Sequence, residues 1–381
     1  MRLAVATVSV LALGAAACGE LPDPSNIVDL RVLAVKCEPA GFLVNLDDPG
    51  MATDAELEAT LTALVVDPTG GGQAIEVSAV GCPDYIDTIT SATLQGSKLC
   101  PPASAVSQLP PDIASVLATR DATAMTPAAP VADGSNEYNP TVKFGLTSEQ
   151  IAAFFTLGRT PIPEVEQSIK YNQDFGLPAI VNLNFSLNGQ DAVAIKRVVY
   201  WPRLRDEDKP DPTVVQVPNQ NPYLGEPGNP AVPEIRFYRH RDELTGTPDQ
   251  PLPDDVEPMI SIAAGDKLYV EPNYLPAATE SYLLRVNNPD RPIGDQVETK
   301  VVDRELLRFY FYATAGRLEP LMQFSELNPV LTSGTLHTDA EWLPLLKPDA
   351  VPPNGRVTIW IVVQDERAGT AWAKRTVNVV P

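Results

Sequence analysis

Apolar and polar residues alternate with a period of two along much of this chain, which is the pattern of a half-buried β-strand. In VNLNFSLNG the apolar residues from Val181 to Leu187 fall on one side of a strand, and asparagine and serine fall on the other. The pair Asn188-Gly189 follows, and both residues accept positive φ. The segment AIVNLNFSLNGQDAVAIKRVVYW is therefore predicted to be a β-hairpin, and a chain of such segments is predicted to form sandwiches.

A second hairpin, GRVTIWIVVQDERAGTAWAKRTVNVV, closes the sequence. Lys196-Arg197 and Lys374-Arg375 recur after the two turns, which indicates a tandem of two related β-domains. We expect a first domain at 27–202 and a second at 234–381. The 39 prolines favour strands joined by long loops, and 203–233 is predicted to be an extended, Pro-rich linker.

A long insertion is expected in the first domain, at about 101–176, because this stretch shows no strong strand pattern. It contains two predicted short helices, PDIASVLATR and LTSEQIAAFFTLG, and Thr147 and Gln150 match a capping box in the second. Ile151, Phe154 and Phe155 form an apolar face of that helix. This face either packs on the sandwich or docks a partner.

The N-terminus has the order of a secretory signal: Arg2, an apolar run from Leu3 to Leu13, then small residues. The run is too short to span a bilayer. Cys18 follows directly, and this arrangement resembles the lipobox of bacterial lipoproteins. The resemblance implies a signal peptide at 1–17, a lipidated Cys18 and a polar tether at 18–26. Cleavage by an ordinary signal peptidase is the alternative, because Ala15 stands where Leu is usual.

An exported chain meets an oxidising compartment, so disulfides are expected. Cys82 and Cys100 flank a short turn-rich segment, and we predict that they pair with each other. Cys37 is then left as a buried free thiol, although its pairing with Cys82 or Cys100 stays open. The sequence shows no Cys/His cluster of the kind that binds zinc, and neither a metal nor a cofactor is expected.

The last hairpin, VTIWIVVQDERAGTAWAKRTVNV, resembles the closing strands of bacterial immunoglobulin-like and polycystin-type domains. VDLRVLAVKCEP and LTALVVDPTGG resemble the surface lipoproteins of myxobacteria. These resemblances imply an all-β fold of two tandem immunoglobulin-like sandwiches at a cell surface, and they imply no reaction. With no Asp directly after Cys18, the resemblance to lipoproteins mildly favours the outer membrane.

A net charge of −21 argues against nucleic acid and anionic membranes as partners. No nucleophile or metalloprotease motif is present, and His240 and His337 are expected to be surface residues. If the strands of the second domain are neighbours, Tyr310, Tyr312, Trp360 and Trp372 form an outward aromatic patch. This patch is either a binding platform or a face covered by lysine and arginine stems, the linker or the first domain.

The sequence therefore predicts a lipid-anchored envelope protein that is not an enzyme and acts as a binding or structural module, with a partner protein or a glycan as its ligand. A hydrolase that uses carboxylates of the insertion or an interdomain cleft is the alternative.

Overall fold

The computed structural model describes residues 26–45, 53–83, 118–124, 127–156, 176–229, 232–238, 259–263, 268–274, 280–287, 297–302, 304–325, 340–343 and 354–380, with Cys100 and a few positions between 107 and 115. Cys18, His240 and His337 lie outside these residues. In the predicted helix PDIASVLATR, Pro111, Ala114 and Ser115 are helical, whereas Arg120 is in a strand. Within the described part, no helix has the length and hydropathy needed to cross a bilayer.

Among the described residues, the first half of the chain has ten strands and a helix, α1. They are β1 (Arg31–Glu38), β2 (Gly41–Val44), β3 (Glu58–Val66), β4 (Glu76–Pro83), β5 (Arg120–Asp121), β6 (Thr123–Ala124), β7 (Glu137–Tyr138), β8 (Thr141–Gly145), α1 (Ser148–Thr156), β9 (Leu177–Leu187) and β10 (Gln190–Pro202). One sheet has the order β1-β3-β8-β6, with β7 on β3, and the other has the order β2-β10-β9-β4-β5.

The described residues of the second half form eleven strands. They are β11 (Ile235–Tyr238), β12 (Met259–Ala263), β13 (Leu268–Pro272), β14 (Tyr282–Asn287), β15 (Val297–Val302), β16 (Arg308–Ala313), β17 (Arg317–Glu319), β18 (Met322–Phe324), β19 (Ala340–Leu343), β20 (Arg356–Gln364) and β21 (Thr370–Val380). The sheets run β11-β13-β19-β17 and β12-β21-β20-β16-β18, and β14 and β15 form a separate hairpin.

Both halves share the same order of their central strands. In each half, the first strand pairs with the third, β1 with β3 and β11 with β13. The short second strand pairs in parallel with the last strand, β2 with β10 and β12 with β21. The remaining neighbours give the A-B-E-D and G-F-C orders of an immunoglobulin-like sandwich. The predicted all-β fold of two such sandwiches is confirmed.

Both predicted hairpins are present. Asn188 and Gly189 have φ values of 52° and 78° in the turn between β9 and β10, and residues 365–369 join β20 to β21. The different turn lengths change the match between the two repeats. Val181 of β9 and Ile359 of β20 occupy equivalent core positions. The residue paired with Val181 on the next strand is Lys196, and the residue paired with Ile359 is Arg375. Lys196 is thus equivalent to Arg375, and the Lys196–Lys374 match expected from sequence is wrong by one residue.

The segment expected to be an insertion belongs partly to the sandwich. Strand β8 lies inside the first sheet and pairs with β3, so this stretch supplies a central strand although its sequence shows no strong strand pattern. Five residues, TVKFG, are too few to give a strong periodic signal. Helix α1 is present with its capping box, since Thr147 and Gln150 bond each other's backbone N–H groups at 3.1 and 3.0 Å. Ile151 and Phe154 are buried in the first core, so this face packs on the sandwich.

The cysteines follow the prediction. Cys82, in β4, forms a disulfide with Cys100, and Cys37, in β1, is a buried free thiol. Burial raises the pKa of the Cys37 thiol to about 12. Cys37 is therefore protonated and unreactive in the folded chain.

Candidate functional site

The candidate site is the seam between the two sandwiches, at the face where the aromatic patch was predicted. The strands that carry the patch are neighbours, as the prediction required: Tyr312 lies opposite Trp360, and Val362 lies opposite Trp372. The expected exposure of the patch is wrong for Trp360, which is fully buried. Tyr310, Tyr312 and Trp372 are half-buried beside it.

The first sandwich covers this face. Leu64 and Val66 at the end of β3 pack with Trp360 and Val362, and Leu33 and Ala34 of β1 join them. The pairing of β1 with β3 shifts register between Val32 and Ala34. This bulge places two consecutive residues of β1 in the seam. Of the two alternatives weighed from sequence, the structure has the covered face, with the first domain as the cover.

A buried carboxylate holds one end of the seam. Glu137, in β7 of the first sandwich, accepts a hydrogen bond from the indole N–H of Trp360 at 3.0 Å. The Lys374 ammonium lies 2.9 Å from the same oxygen, and Asn139 donates to the other oxygen at 2.8 Å. The Glu137 side chain is only 5% exposed. Such a carboxylate is tolerated in an interior only because it is paired and hydrogen-bonded.

Lys374 reaches further into the turn that precedes β7. Its ammonium also contacts Asp133 at 2.5 Å and Ser135 at 3.1 Å. Burial pushes the pKa of Asp133 upward, but the hydrogen bonds from Lys374 and Ser135 outweigh it and lower the pKa to about 2. Asp133 is therefore ionised at any physiological pH, and the pairing persists.

A small polar cleft of about 120 Å³ opens beside this lock. Both sandwiches line it. The first contributes Pro68 and the turn from Asp133 to Asn136, and the second contributes Asn354, Arg356 and the hydroxyls of Thr314, Thr358 and Thr376. Two of these hydroxyls, on Thr358 and Thr376, bond each other at 3.1 Å. The lining offers amide, hydroxyl, carboxylate and guanidinium groups to a polar ligand.

A buried lysine holds the other end of the seam. Lys196 of β10 donates to the Ala368 carbonyl at 2.5 Å and lies 3.1 Å from the Thr370 hydroxyl, both in the second sandwich. Burial lowers the pKa of Lys196. The linker residue Asn221 adds a bridge, because it donates to the Cys37 carbonyl at 2.7 Å and accepts from the Thr370 N–H at 2.8 Å.

A cluster of charged residues supports the turn that Lys196 contacts. Arg367 forms ion pairs with Glu280 and, at 2.8 Å, with Glu305, and its guanidinium lies 4.3 Å from the centre of the Tyr282 ring. Asp365 accepts the N–H groups of Arg367 and Gly369 inside the turn. Burial, with a contribution from Asp365, raises the pKa of Glu305 to about 7. Burial also raises the pKa of Asp365.

The carboxylates of this cluster are enclosed and paired with their neighbours. Among the residues that the structure describes, no group of three or more His, Cys, Asp or Glu side chains is placed to hold a metal ion. Glu305 and Asp365 are 1% and 4% exposed and are both bonded to neighbouring groups. They fix the conformation of the β20–β21 turn.

Sequence reasoning missed the other half of the seam: Leu33, Leu64, Val66, Glu137 and Lys196. A signal for part of it exists. The run ALVV at the end of β3 and the run IWIVV in β20 break the two-residue alternation, and every residue in both runs is buried. Continuous apolar runs of this kind indicate strands that are covered on both faces.

No protein-family model matches the chain, and no curated protein matches it. Solved structures give distant likenesses. A DUF4785 family protein from Legionella pneumophila is 5% identical over 90% of this chain, with a TM-score of 0.19, and the alignment spans 56% of that protein. A bacterial ice-binding adhesin is 8% identical over 93% of this chain and 67% of its own, with a TM-score of 0.19.

The fibronectin(III)-like modules of CbhA from Clostridium thermocellum are 8% identical over 92% of both chains, with a TM-score of 0.17. Of these three, the CbhA modules are named as fibronectin(III)-like. At such TM-scores these likenesses carry no information about activity.

Proposed function

We propose that this protein is a lipid-anchored, non-catalytic module of the cell envelope, in which two docked sandwiches hold a partner protein or a glycan. The observation that supports this most directly is the seam. The sandwiches bury Trp360, Leu64 and Val66 between them, and Glu137 and Lys196 hold the two ends. A pair joined in this way behaves as one rigid body with a defined surface.

The proposal places the anchor at Cys18, because the N-terminal sequence resembles a lipobox. The protein is then an outer-membrane or cell-surface lipoprotein of the kind that myxobacteria carry. A second or third acyl chain makes such anchoring stable, whereas one chain holds only marginally.

The absence of catalysis is part of the proposal, and the burial of the perturbed carboxylates supports it. Glu305 and Asp365 have raised pKa values, as catalytic acids often do. Both are enclosed by Arg367 and the turn, so a substrate has no access to them. The cleft at Asp133 and Arg356 is open and polar, and it is where we expect a glycan or a partner side chain to bind.

The test is purification of the native protein from its own membranes after mild crosslinking, followed by intact mass and identification of the crosslinked partner. A chain that begins at Cys18 with added acyl mass, and that carries one recurrent partner or glycan, supports the proposal. Asp133→Ala should reduce that capture when the assay is run well below the melting temperature of the variant, which loses the ion pair with Lys374 as well. A mature chain without acyl mass, or turnover in a panel of polysaccharides and peptides, contradicts it.

A further inference from the structure

The β20–β21 turn, residues 365–369, connects the second sandwich to the first sandwich and to the linker. Its Ala368 carbonyl and the adjoining Thr370 hydroxyl hold Lys196 of the first sandwich, at 2.5 and 3.1 Å. The Thr370 N–H donates to Asn221 of the linker, which donates in turn to the Cys37 carbonyl. Ala368 has a φ of 75°, a conformation that non-glycine residues rarely adopt. The surrounding contacts therefore hold the turn in this shape, and Lys196 and Asn221 depend on it for their partners.

The other side of the turn carries a surplus of enclosed negative charge. Glu280 and Glu305 both form ion pairs with Arg367, and Asp365 accepts the Arg367 backbone N–H. The side chains of Glu280, Glu305 and Arg367 are 18%, 2% and 9% exposed. The same surroundings hold two further charged groups, Glu366 and Lys196. Three carboxyl groups thus lie around one guanidinium, and like charges that share an enclosed site do not all ionise at the pH at which separate carboxyl groups do.

Glu305 is the carboxyl group of this cluster that retains a proton. Asp365 accepts two backbone N–H groups of the turn and the Asn219 amide, and these bonds stabilise its ionised form. Glu280 is partly open to water. Burial and the charge of Asp365 raise the pKa of Glu305 to about 7, and Arg367 offsets only part of this effect. Near neutral pH the cluster therefore changes between a protonated and an ionised Glu305.

We propose that the β20–β21 turn is a pH-sensitive latch between the two sandwiches, closed while Glu305 is protonated and released from the first sandwich when Glu305 ionises. The inference goes beyond the proposed function and needs neither the lipid anchor nor a ligand. When the proton passes to water, Glu305 and Asp365 repel each other and the strained turn loses its support. The Lys196 end of the seam then opens. The Glu137 end stays closed, because Asp133 there has a pKa of about 2 and is ionised throughout.

Hydrogen–deuterium exchange of the full mature chain, measured by mass spectrometry of its peptides at pH 6 and pH 8, tests the latch. The reporter is the peptide that carries the amides of Arg367, Gly369 and Thr370, which are bonded inside the turn or to the linker. The matched control is the Ser135 amide at the other end of the seam, because it is also bonded to an aspartate, Asp133. All rates are corrected for the intrinsic pH dependence of exchange.

The expected change follows from the raised pKa of Glu305. A carboxyl group with a pKa of about 7 in the closed turn and an ordinary 4.5 in the open turn changes the opening equilibrium about tenfold between pH 6 and pH 8. Because the pKa is raised in the closed state, the closed state is favoured at the lower pH. We therefore expect the corrected protection of the turn to fall about tenfold from pH 6 to pH 8, while that of Ser135 stays constant. Glu305→Gln keeps a neutral group, so its turn should be equally protected at both pH values.

Lys196→Met separates a latch between the sandwiches from a change confined to the turn. If the turn and the first sandwich hold each other, this variant should lose protection at the turn already at pH 6. Asn221→Ala repeats the test if Lys196→Met folds poorly. The inference is overturned by equal protection of the wild-type turn at pH 6 and pH 8, by a pH dependence that persists in Glu305→Gln, or by a turn that the loss of Lys196 or Asn221 leaves unchanged.

Discussion

Glu137 and Lys374 should be strongly coupled, because their ion pair is buried in the seam. Glu137 is 5% exposed, and its oxygens accept from Lys374, Trp360 and Asn139. Removing one partner of a buried pair costs about 3–5 kcal/mol, since the other charge is left without compensation. Lys374→Met leaves the Glu137 carboxylate with two neutral donors only, so we expect a loss near the upper end of that range.

Glu137→Gln should cost less, about 2–3 kcal/mol, because Lys374 keeps Asp133 and Ser135 as partners and the amide keeps an acceptor for Trp360. The double variant should then cost less than the sum of the single ones, with a coupling free energy of about 2 kcal/mol. The measurement is urea unfolding of the four chains of this cycle, followed by tryptophan fluorescence and circular dichroism.

The chain offers a matched control in Glu58 and Lys143. Their ion pair has nearly the same length, 3.1 Å, but the two side chains are 39% and 45% exposed. Exposed pairs contribute about 0–1 kcal/mol, so Lys143→Met should barely move the transition. If Lys374→Met costs no more than Lys143→Met, the buried pair does not hold the sandwiches together and the argument from the seam fails.

Three further perturbations probe the same architecture. Trp360→Ala removes the largest side chain of the seam and should lower the free energy of unfolding by about 3–5 kcal/mol. Differential scanning calorimetry should show a lower or split transition, and a loss below about 1 kcal/mol would contradict the burial of Trp360. Glu305 has a pKa of about 7 against an ordinary value of 4.5, so its contribution to stability is fully present below pH 4.5 and is lost as the pH rises through 7. In Glu305→Gln the urea midpoint should therefore depend less on pH between 4.5 and 7, and an unchanged pH dependence would refute the assignment. Replacing Cys82 and Cys100 by serine opens a loop with a sequence separation of 18 and should lower the free energy of unfolding in urea by about 3 kcal/mol. Reduction of the wild-type disulfide should give the same loss, and a different loss would point to another cause.

The fold could be predicted from the sequence where local chemistry decides it. The alternation from Val181 to Leu187 and the Asn188-Gly189 turn specify the β9–β10 hairpin, and the capping box at Thr147 specifies the start of α1. Strand β8 escaped because its five residues acquire their place only by pairing with β3. Short central strands depend on long-range contacts, and a single sequence does not display these.

The seam was missed for a related reason. Alternation separates the two faces of a strand, but it does not say whether the second face meets water or another sheet. In β16 the arginine at position 308 suggested an outward face, and the face is indeed outward from its own core. Trp360 nevertheless lies against Leu64 and Val66 of the first sandwich. The informative signal was the unbroken apolar run IWIVV in β20. In a strand with one solvated face every second residue is polar, so this run indicates that both faces of β20 are covered. The equally unbroken run ALVV of β3 was the segment able to cover the second face.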